Sequence, residues 1–165
     1  CMRHTQEGAT AFANTRCAHC GSDTTDTRVV RCARCDALLP RPWRQDSDGT
    51  YRLVRAFKTA YRRMRWDAPS SALTTNSGVI SSDVKGHPSE NRVLSLREIM
   101  IVAGIAPSPG CEHTFAYSFP ETTSDKLIRV VIGEAVPPLL AYRIAQHLDS
   151  LIRDSTTIER NRRTI

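Results

Sequence analysis

The sequence predicts an α+β fold: a small, irregular, strand-rich region followed by short helices and one C-terminal amphipathic helix. Three observations predict it. Two Cys-x2-Cys pairs, Cys17/Cys20 and Cys32/Cys35, are separated by eleven residues near the start of the chain. The middle is crowded with Pro, Gly, Ser and Thr and carries only short β-branched or aromatic runs. After Ser95, apolar residues recur at helical spacing, with capping residues at the ends.

Taken in order, residues 1–16 are polar and patternless. Thr27–Arg31 is alternating and β-branched, which predicts a strand leading into the second cysteine pair. Pro40, Pro42 and the turn Asp46-Ser47-Asp48-Gly49 punctuate the chain. Thr50 to Trp66 mixes aromatic and aliphatic residues with arginines, so strands and an irregular basic arm both remain open. Asp67 to Pro88 reads as loop, with Ala72-Leu73-Thr74-Thr75 as a short extended piece.

Leu96 to Ala103 is expected to be helical, started by a Ser95/Glu98 capping box and closed by Gly104. Ser124 caps a further helix over 125–131. The last helix begins near Pro137, because a first-turn amide has no intrahelical partner to lose. Leu140, Ile144, Leu148 and Leu151 line one of its faces, with Ala141 and Ala145 beside them. Beyond Arg153 a polar, frayed tail is expected. No internal repeat is expected.

Composition narrows the function classes. Of the 165 residues, 40% are hydrophobic and 6% aromatic, and the mean hydropathy is −0.36. No apolar run reaches the ~20 residues of a membrane span, and the first residues lack an apolar signal core. The expectation is a cytoplasmic protein with no membrane partner. The net charge of +6 is concentrated: Arg41 to Trp66 holds eight basic residues against only Asp46 and Asp48. A basic stretch of this kind suits a polyanion, since each phosphate contact releases counterions.

The cysteine quartet, without a secretion signal, reads as metal binding before disulfides. Two such knuckles place four thiolates tetrahedrally around Zn²⁺ at ~2.3 Å. Cys17, Cys20, Cys32 and Cys35 complete the coordination sphere, leaving no position for water, so the zinc is expected to be structural. His19 is then not needed as a ligand.

Two further blocks carry a resemblance. The first is Tyr61-Arg62-Arg63-Met64-Arg65-Trp66-Asp67-Ala68-Pro69, then Ala72-Leu73-Thr74-Thr75, His87-Pro88 and Arg92-Val93-Leu94-Ser95-Leu96-Arg97-Glu98. The second is Ile128-Arg129-Val130-Val131-Ile132-Gly133-Glu134-Ala135-Val136-Pro137-Pro138. Together they resemble the ninth and tenth motifs of the DNA (cytosine-5) methyltransferases, clearly over about residues 50–150. The resemblance implies a zinc-containing target recognition region at 1–91, a segment at 92–153 returning to the catalytic domain, and a polar tail at 154–165. It implies double-stranded DNA as partner, with Arg62, Arg63, Arg65, Thr74, Thr75 and Arg92 as DNA-binding candidates. Arg97 is expected instead to tie its helix to a neighbouring loop.

The resemblance further implies that Gly133, Glu134, Ala135 and Val136 help wall an S-adenosylmethionine pocket shared with an N-terminal catalytic half. The final helix would dock on that absent α/β domain. Glu134 departs from the family's usual Asn. The family's Pro-Cys nucleophile and Phe-x-Gly-x-Gly loop are not present in this sequence. The chain is therefore expected to be inactive alone, as one subunit of a split enzyme or a C-terminal piece, and a first residue other than Met favours the piece. Cys111 follows Pro109-Gly110 and reads as a free, partly buried thiol. The alternatives are a non-enzymatic zinc-ribbon nucleic-acid module and a degenerate methyltransferase remnant.

Overall fold

The structure is a computed structural model describing residues 1–57, 59–82, 84–107 and 117–162, with side chains through 153. Cys111 lies outside the described residues. The chain divides into two compact units, Cys1–Ser95 and Leu96–Ile165.

The first unit contains little regular structure. Its sheet is one antiparallel hairpin, β1 (Trp43–Gln45) and β2 (Tyr51–Leu53), joined through the predicted Asp46–Gly49 turn. Asp48 Oδ1 shapes that turn by accepting from the Thr50 amide at 2.9 Å and the Thr50 hydroxyl at 2.6 Å. Elsewhere the backbone is stitched by single bridges. Thr10 pairs with Arg62, Arg63 with Gly86, and Gly86 with Val93. Residues 61–64 thus run between an N-terminal segment and the segment around Gly86.

Thr27–Arg31 does not form the expected strand. The Asp26 carboxylate accepts from the Arg28 amide at 2.9 Å and from its Nε at 3.2 Å. This local bonding draws the segment into a turn, competing with any ladder. Only Arg31 pairs, bridging to Leu38.

So irregular a backbone leaves carbonyl groups that no ladder satisfies, and buried carbonyls need donors. Cationic side chains supply them. Arg41, 1% exposed, donates to Asn14 O, Asp26 O, Val29 O and Thr24 O at 2.6–2.8 Å. Arg63, 4% exposed, donates to the carbonyls of Thr5, His87, Glu90 and Met2, and to Asn91 Oδ1. Lys85, also buried, donates to Ala72 O at 2.6 Å and Ser71 Oγ at 3.2 Å. Small apolar residues such as Ala11, Leu39, Ala60 and Leu94 fill the space between.

The second unit is helical: α1 (Leu96–Val102), α2 (Asp125–Glu134) and α3 (Pro138–Arg162). Helix α1 ends as the sequence predicts. Gly104 takes φ 70° and donates to Ile101 O, while Ile105 donates back to Met100 O. That pair of bonds is a Schellman closure. Ile99, Ala103, Ile105 and Ala106 are buried with Ile128 and Ile132 of α2. Ser124 caps α2, its hydroxyl accepting from the Leu127 amide at 3.3 Å.

Two helices outrun their predicted limits. Helix α2 continues past Val131 to Glu134, because Ile128 and Ile132, one turn apart, both pack inward. It stops at Ala135, two residues before Pro137, whose ring disfavours helical geometry at Val136. Helix α3 continues through the expected frayed tail to Arg162, with neither Gly nor Pro after Arg153 to break it. Its predicted apolar stripe lies in solvent: Leu140, Ile144, Leu148 and Leu151 are each about half exposed.

Candidate metal centre and nucleic-acid interface

The four predicted cysteines converge. Their sulfur atoms all lie within 4.8 Å of one another, with Cys17 to Cys35 and Cys20 to Cys32 both at 3.7 Å. A tetrahedral metal with four sulfurs at ~2.3 Å requires edges of about 3.8 Å, so the quartet fits that geometry. All four thiols are free of disulfide bonds.

Each pair sits on the same backbone turn. Gly21 donates to Cys17 O, and Asp36 donates to Cys32 O, both at 3.0 Å. Cys17 in turn donates to Ser22 O, and Cys32 to Ala37 O. One residue further out, Arg16 bridges to Asp23 and Arg31 to Leu38. The sulfurs accept equivalent amides, His19 N to Cys17 and Arg34 N to Cys32, both at 3.4 Å. The expectation of no internal repeat is therefore corrected. Arg16-Cys17-Ala18-x-Cys20 recurs as Arg31-Cys32-Ala33-x-Cys35. That five-position echo was legible but too short to register as a repeat.

Electrostatics within the quartet are unequal. The Ser22 hydroxyl, assisted by the Arg34 and Cys35 amides, lowers the Cys32 thiol to about 5. Cys20 is also lowered, chiefly by the Ser22 hydroxyl. At Cys35 the Ala37 amide pulls downward, but the Cys20 sulfur, burial and the other sulfurs outweigh it, pushing the thiol up to about 12. Four thiolates at such distances repel one another unless a cation lies among them. His19 is exposed and stands outside the quartet, as expected.

The basic candidates are dispersed rather than gathered. Arg65 is 59% exposed and pairs with Asp67 at 2.7 Å, so its guanidinium is accessible. Arg62 is half-buried, and the two line a groove of about 250 Å³ with Gly8, Pro69 and Ser71. Thr74 is exposed and Thr75 half-buried at the start of a turn. Arg92 forks onto Glu90, with Nε to Oε2 at 2.8 Å and Nη2 to Oε1 at 3.1 Å. Arg63, expected at phosphate, is instead internal: its donors hold carbonyls of two segments distant in sequence, Met2 and Thr5 in one and His87 and Glu90 in the other. Arg97 donates from α1 to Pro107 O at 3.2 Å, tying helix to loop as expected.

In the second unit, Gly133 and Glu134 form the last turn of α2, Ala135 caps it, and Val136 is 68% exposed. The block thus presents the end of α2 and the short link through Val136 and Pro137 to α3. Sequence reading missed the β1–β2 hairpin as a distinct element. Trp43, Arg44, Arg52 and Tyr51 sit on it, and the alternation of Tyr51 to Leu53 was its faint signal.

The class of site is a two-knuckle, four-sulfur centre able to hold a metal ion, set in an arginine-braced unit. The chain is 34% identical to Type II methyltransferase M1.HgaI of Avibacterium volantium over 104 residues, covering 58% of this chain and 27% of that protein. It is 35% identical to Type II methyltransferase M.AgeI of Thalassovita gelatinovora over 92 residues, covering 56% of this chain and 19% of that protein. These similarities support a methyltransferase relationship for a chain spanning about a quarter or less of those relatives' length. No family model matches, and no solved structure matches. Among the described residues, no helix is long and apolar enough to cross a membrane.

Proposed function

We propose that this chain is the DNA-binding and target-recognition part of a DNA cytosine-5 methyltransferase, working with an N-terminal catalytic half. The observation that carries the reading is the similarity to two Type II methyltransferases over more than half of this chain. The blocks around Arg92–Glu98 and Gly133–Pro138 support the cytosine-5 assignment.

In this reading Cys17, Cys20, Cys32 and Cys35 hold a structural zinc, which anchors residues 14–41 where regular hydrogen bonding is scarce. Arg62, Arg65 and Arg92, with the Thr74 and Thr75 hydroxyls, contact the backbone of double-stranded DNA. Arg63 contributes by bracing the segment that carries its neighbours. The catalytic half supplies the cysteine nucleophile, and S-adenosylmethionine supplies the methyl group. Gly133, Glu134, Ala135 and Val136 close one wall of that cofactor's pocket, where the Glu134 carboxylate suits the cofactor's ammonium end. The exposed Leu140–Leu151 stripe of α3 is covered by the catalytic half, since an uncovered apolar stripe of that length favours association.

The test is a methyl-transfer assay on duplex DNA with labelled cofactor. The chain alone is expected to transfer nothing. Mixed with an N-terminal half carrying the Pro-Cys and glycine-loop motifs, it is expected to restore transfer to cytosine C5. Activity from this chain alone, or transfer to an exocyclic amine by the mixture, overturns the reading.

A further inference from the structure

The β1–β2 hairpin has two unlike faces. On one, Trp43 meets the Tyr51 ring edge-on at 5.1 Å. Arg31 lies over that same ring at 5.4 Å. Arg31 adjoins Cys32, so this face is tied to the second knuckle. The other face carries Arg44 and Arg52, paired directly opposite each other in the register. Like charges directly opposite each other destabilise a strand pair, and neither arginine packs on a core. Their side chains are 56% and 43% exposed.

Asp46 lies between them. Its Oδ1 is 3.4 Å from Arg44 Nε, and its Oδ2 accepts from Arg52 Nε. Only the Nε edges are engaged. Among the described residues no acceptor meets the terminal Nη groups of either guanidinium. The second acid of the turn, Asp48, is turned inward onto Thr50.

We infer that the β1–β2 hairpin enters the DNA major groove and that Arg44 and Arg52 read guanines of neighbouring base pairs. The inference rests on the DNA-recognition reading above. A major groove about 12 Å wide admits a two-stranded ribbon, and guanine presents O6 and N7 there to a guanidinium fork. The Nη pair left open by Asp46 is such a fork. The Arg52 Nε bond and the looser Arg44–Asp46 ion pair bias both side chains before contact, which reduces the entropy lost on binding.

Spacing agrees. The bonds Asp46 N to Thr50 O and Val54 N to Pro42 O bracket the ribbon. Alternation then makes Arg44 and Arg52 a hydrogen-bonded pair, with Cα atoms about 5.5 Å apart. Bases stack at about 3.4 Å per step. Two arginines so placed address adjacent base pairs, not separate half-sites. The metal centre sets the ribbon's orientation through Arg31, Leu39 and Arg41.

The experiment uses the full zinc-loaded chain and a duplex library randomised over about twelve base pairs, selected by binding and sequenced. Arg44→Ala, Arg52→Ala, Arg44→Lys and Arg65→Ala are selected in parallel, with zinc content and circular dichroism as checks on folding. The native chain is expected to enrich a site with adjacent guanines. Arg44→Ala and Arg52→Ala each lower the preference at one of those positions by roughly 5- to 150-fold. Arg44→Lys behaves like Arg44→Ala, because an ammonium has no fork. Arg65→Ala weakens all duplexes evenly and leaves the selected site unchanged. Duplex binding without a guanine preference, or with one that survives both alanine substitutions, overturns the hairpin assignment and leaves the DNA-recognition reading standing. No duplex binding even at low salt overturns both.

Discussion

Gly21 and Asp36 occupy the same place in two copies of one turn. Each follows the second cysteine of its pair, each has a left-handed backbone (φ 70° and 56°), and each donates to the carbonyl of the first cysteine at 3.0 Å. Glycine adopts that conformation without strain, whereas an L-residue with a Cβ resists it by about 1–2 kcal/mol. Asp36→Gly is therefore expected to raise stability by about 0.5–1 kcal/mol, even after losing the exposed Arg31 contact, which is worth little. Gly21→Val is expected to lower it by at least about 1 kcal/mol. Thermal unfolding with metal in excess checks both, and equal effects at the two positions would contradict the equivalence.

Metal removal should dismantle the knuckles. The first unit has only one short hairpin among its described residues, so the quartet replaces a hydrogen-bonded framework there. Cys17→Ser or Cys32→Ser is expected to abolish stoichiometric zinc, read by elemental analysis, and to expose residues 14–41 to limited proteolysis. A chelator should produce the same cleavage pattern in the unsubstituted chain. Unchanged proteolysis after zinc loss would remove the structural role.

In the fraction of metal-free chain that keeps the knuckle geometry, the thiols should differ sharply in reactivity. The thiolate is the attacking form. At pH 6, Cys32 lies above its lowered pKa of about 5 and is mostly ionised. Cys35, pushed up to about 12, is almost wholly protonated at that pH. Brief iodoacetamide treatment at pH 6, read by peptide mass spectrometry, is expected to label Cys32 ahead of Cys35. Ser22→Ala should slow that labelling, since the Ser22 hydroxyl is the chief cause of the Cys32 shift. Zinc should protect all four cysteines.

Arg63 and Arg65 are two residues apart and should fail in different ways. Arg63→Ala strands carbonyls of two segments, Thr5 in one and His87 and Glu90 in the other. A loss of about 3 kcal/mol or more in folding stability is expected. Arg63→Lys should rescue little of it, since an ammonium cannot reproduce a five-donor fork. Arg65→Ala should leave unfolding nearly unchanged, because an exposed pair such as Arg65–Asp67 contributes at most about 1 kcal/mol. Its effect should appear in the salt dependence of duplex binding, whose slope falls by about 1. Denaturant titration beside salt-dependent binding separates the two.

Local chemistry made several features legible in the sequence alone. The quartet could be read because two residues between paired cysteines already dictate a knuckle, whatever surrounds it. The closure of α1 at Gly104 and the start of α2 at Ser124 could be read because caps are satisfied by neighbours within a few positions. The run of α2 to Glu134 could not, because it depends on Ile128 and Ile132 finding a partner surface on α1.

The arginines divide most clearly between sequence and structure. By themselves the residues determined the four-cysteine set able to hold a metal, the caps at Gly104 and Ser124 and an excess of positive charge between Arg41 and Trp66, all properties of short segments. Which of those charges face solvent was decided by tertiary structure. Arg41 and Arg63 are drawn inside because carbonyls far away in sequence, such as Asn14 O and Thr5 O, have no ladder partner and accept from them. Arg44, Arg52 and Arg65, of identical chemistry, remain outside, paired with the carboxylates of Asp46 and Asp67 that lie within two to six residues of them.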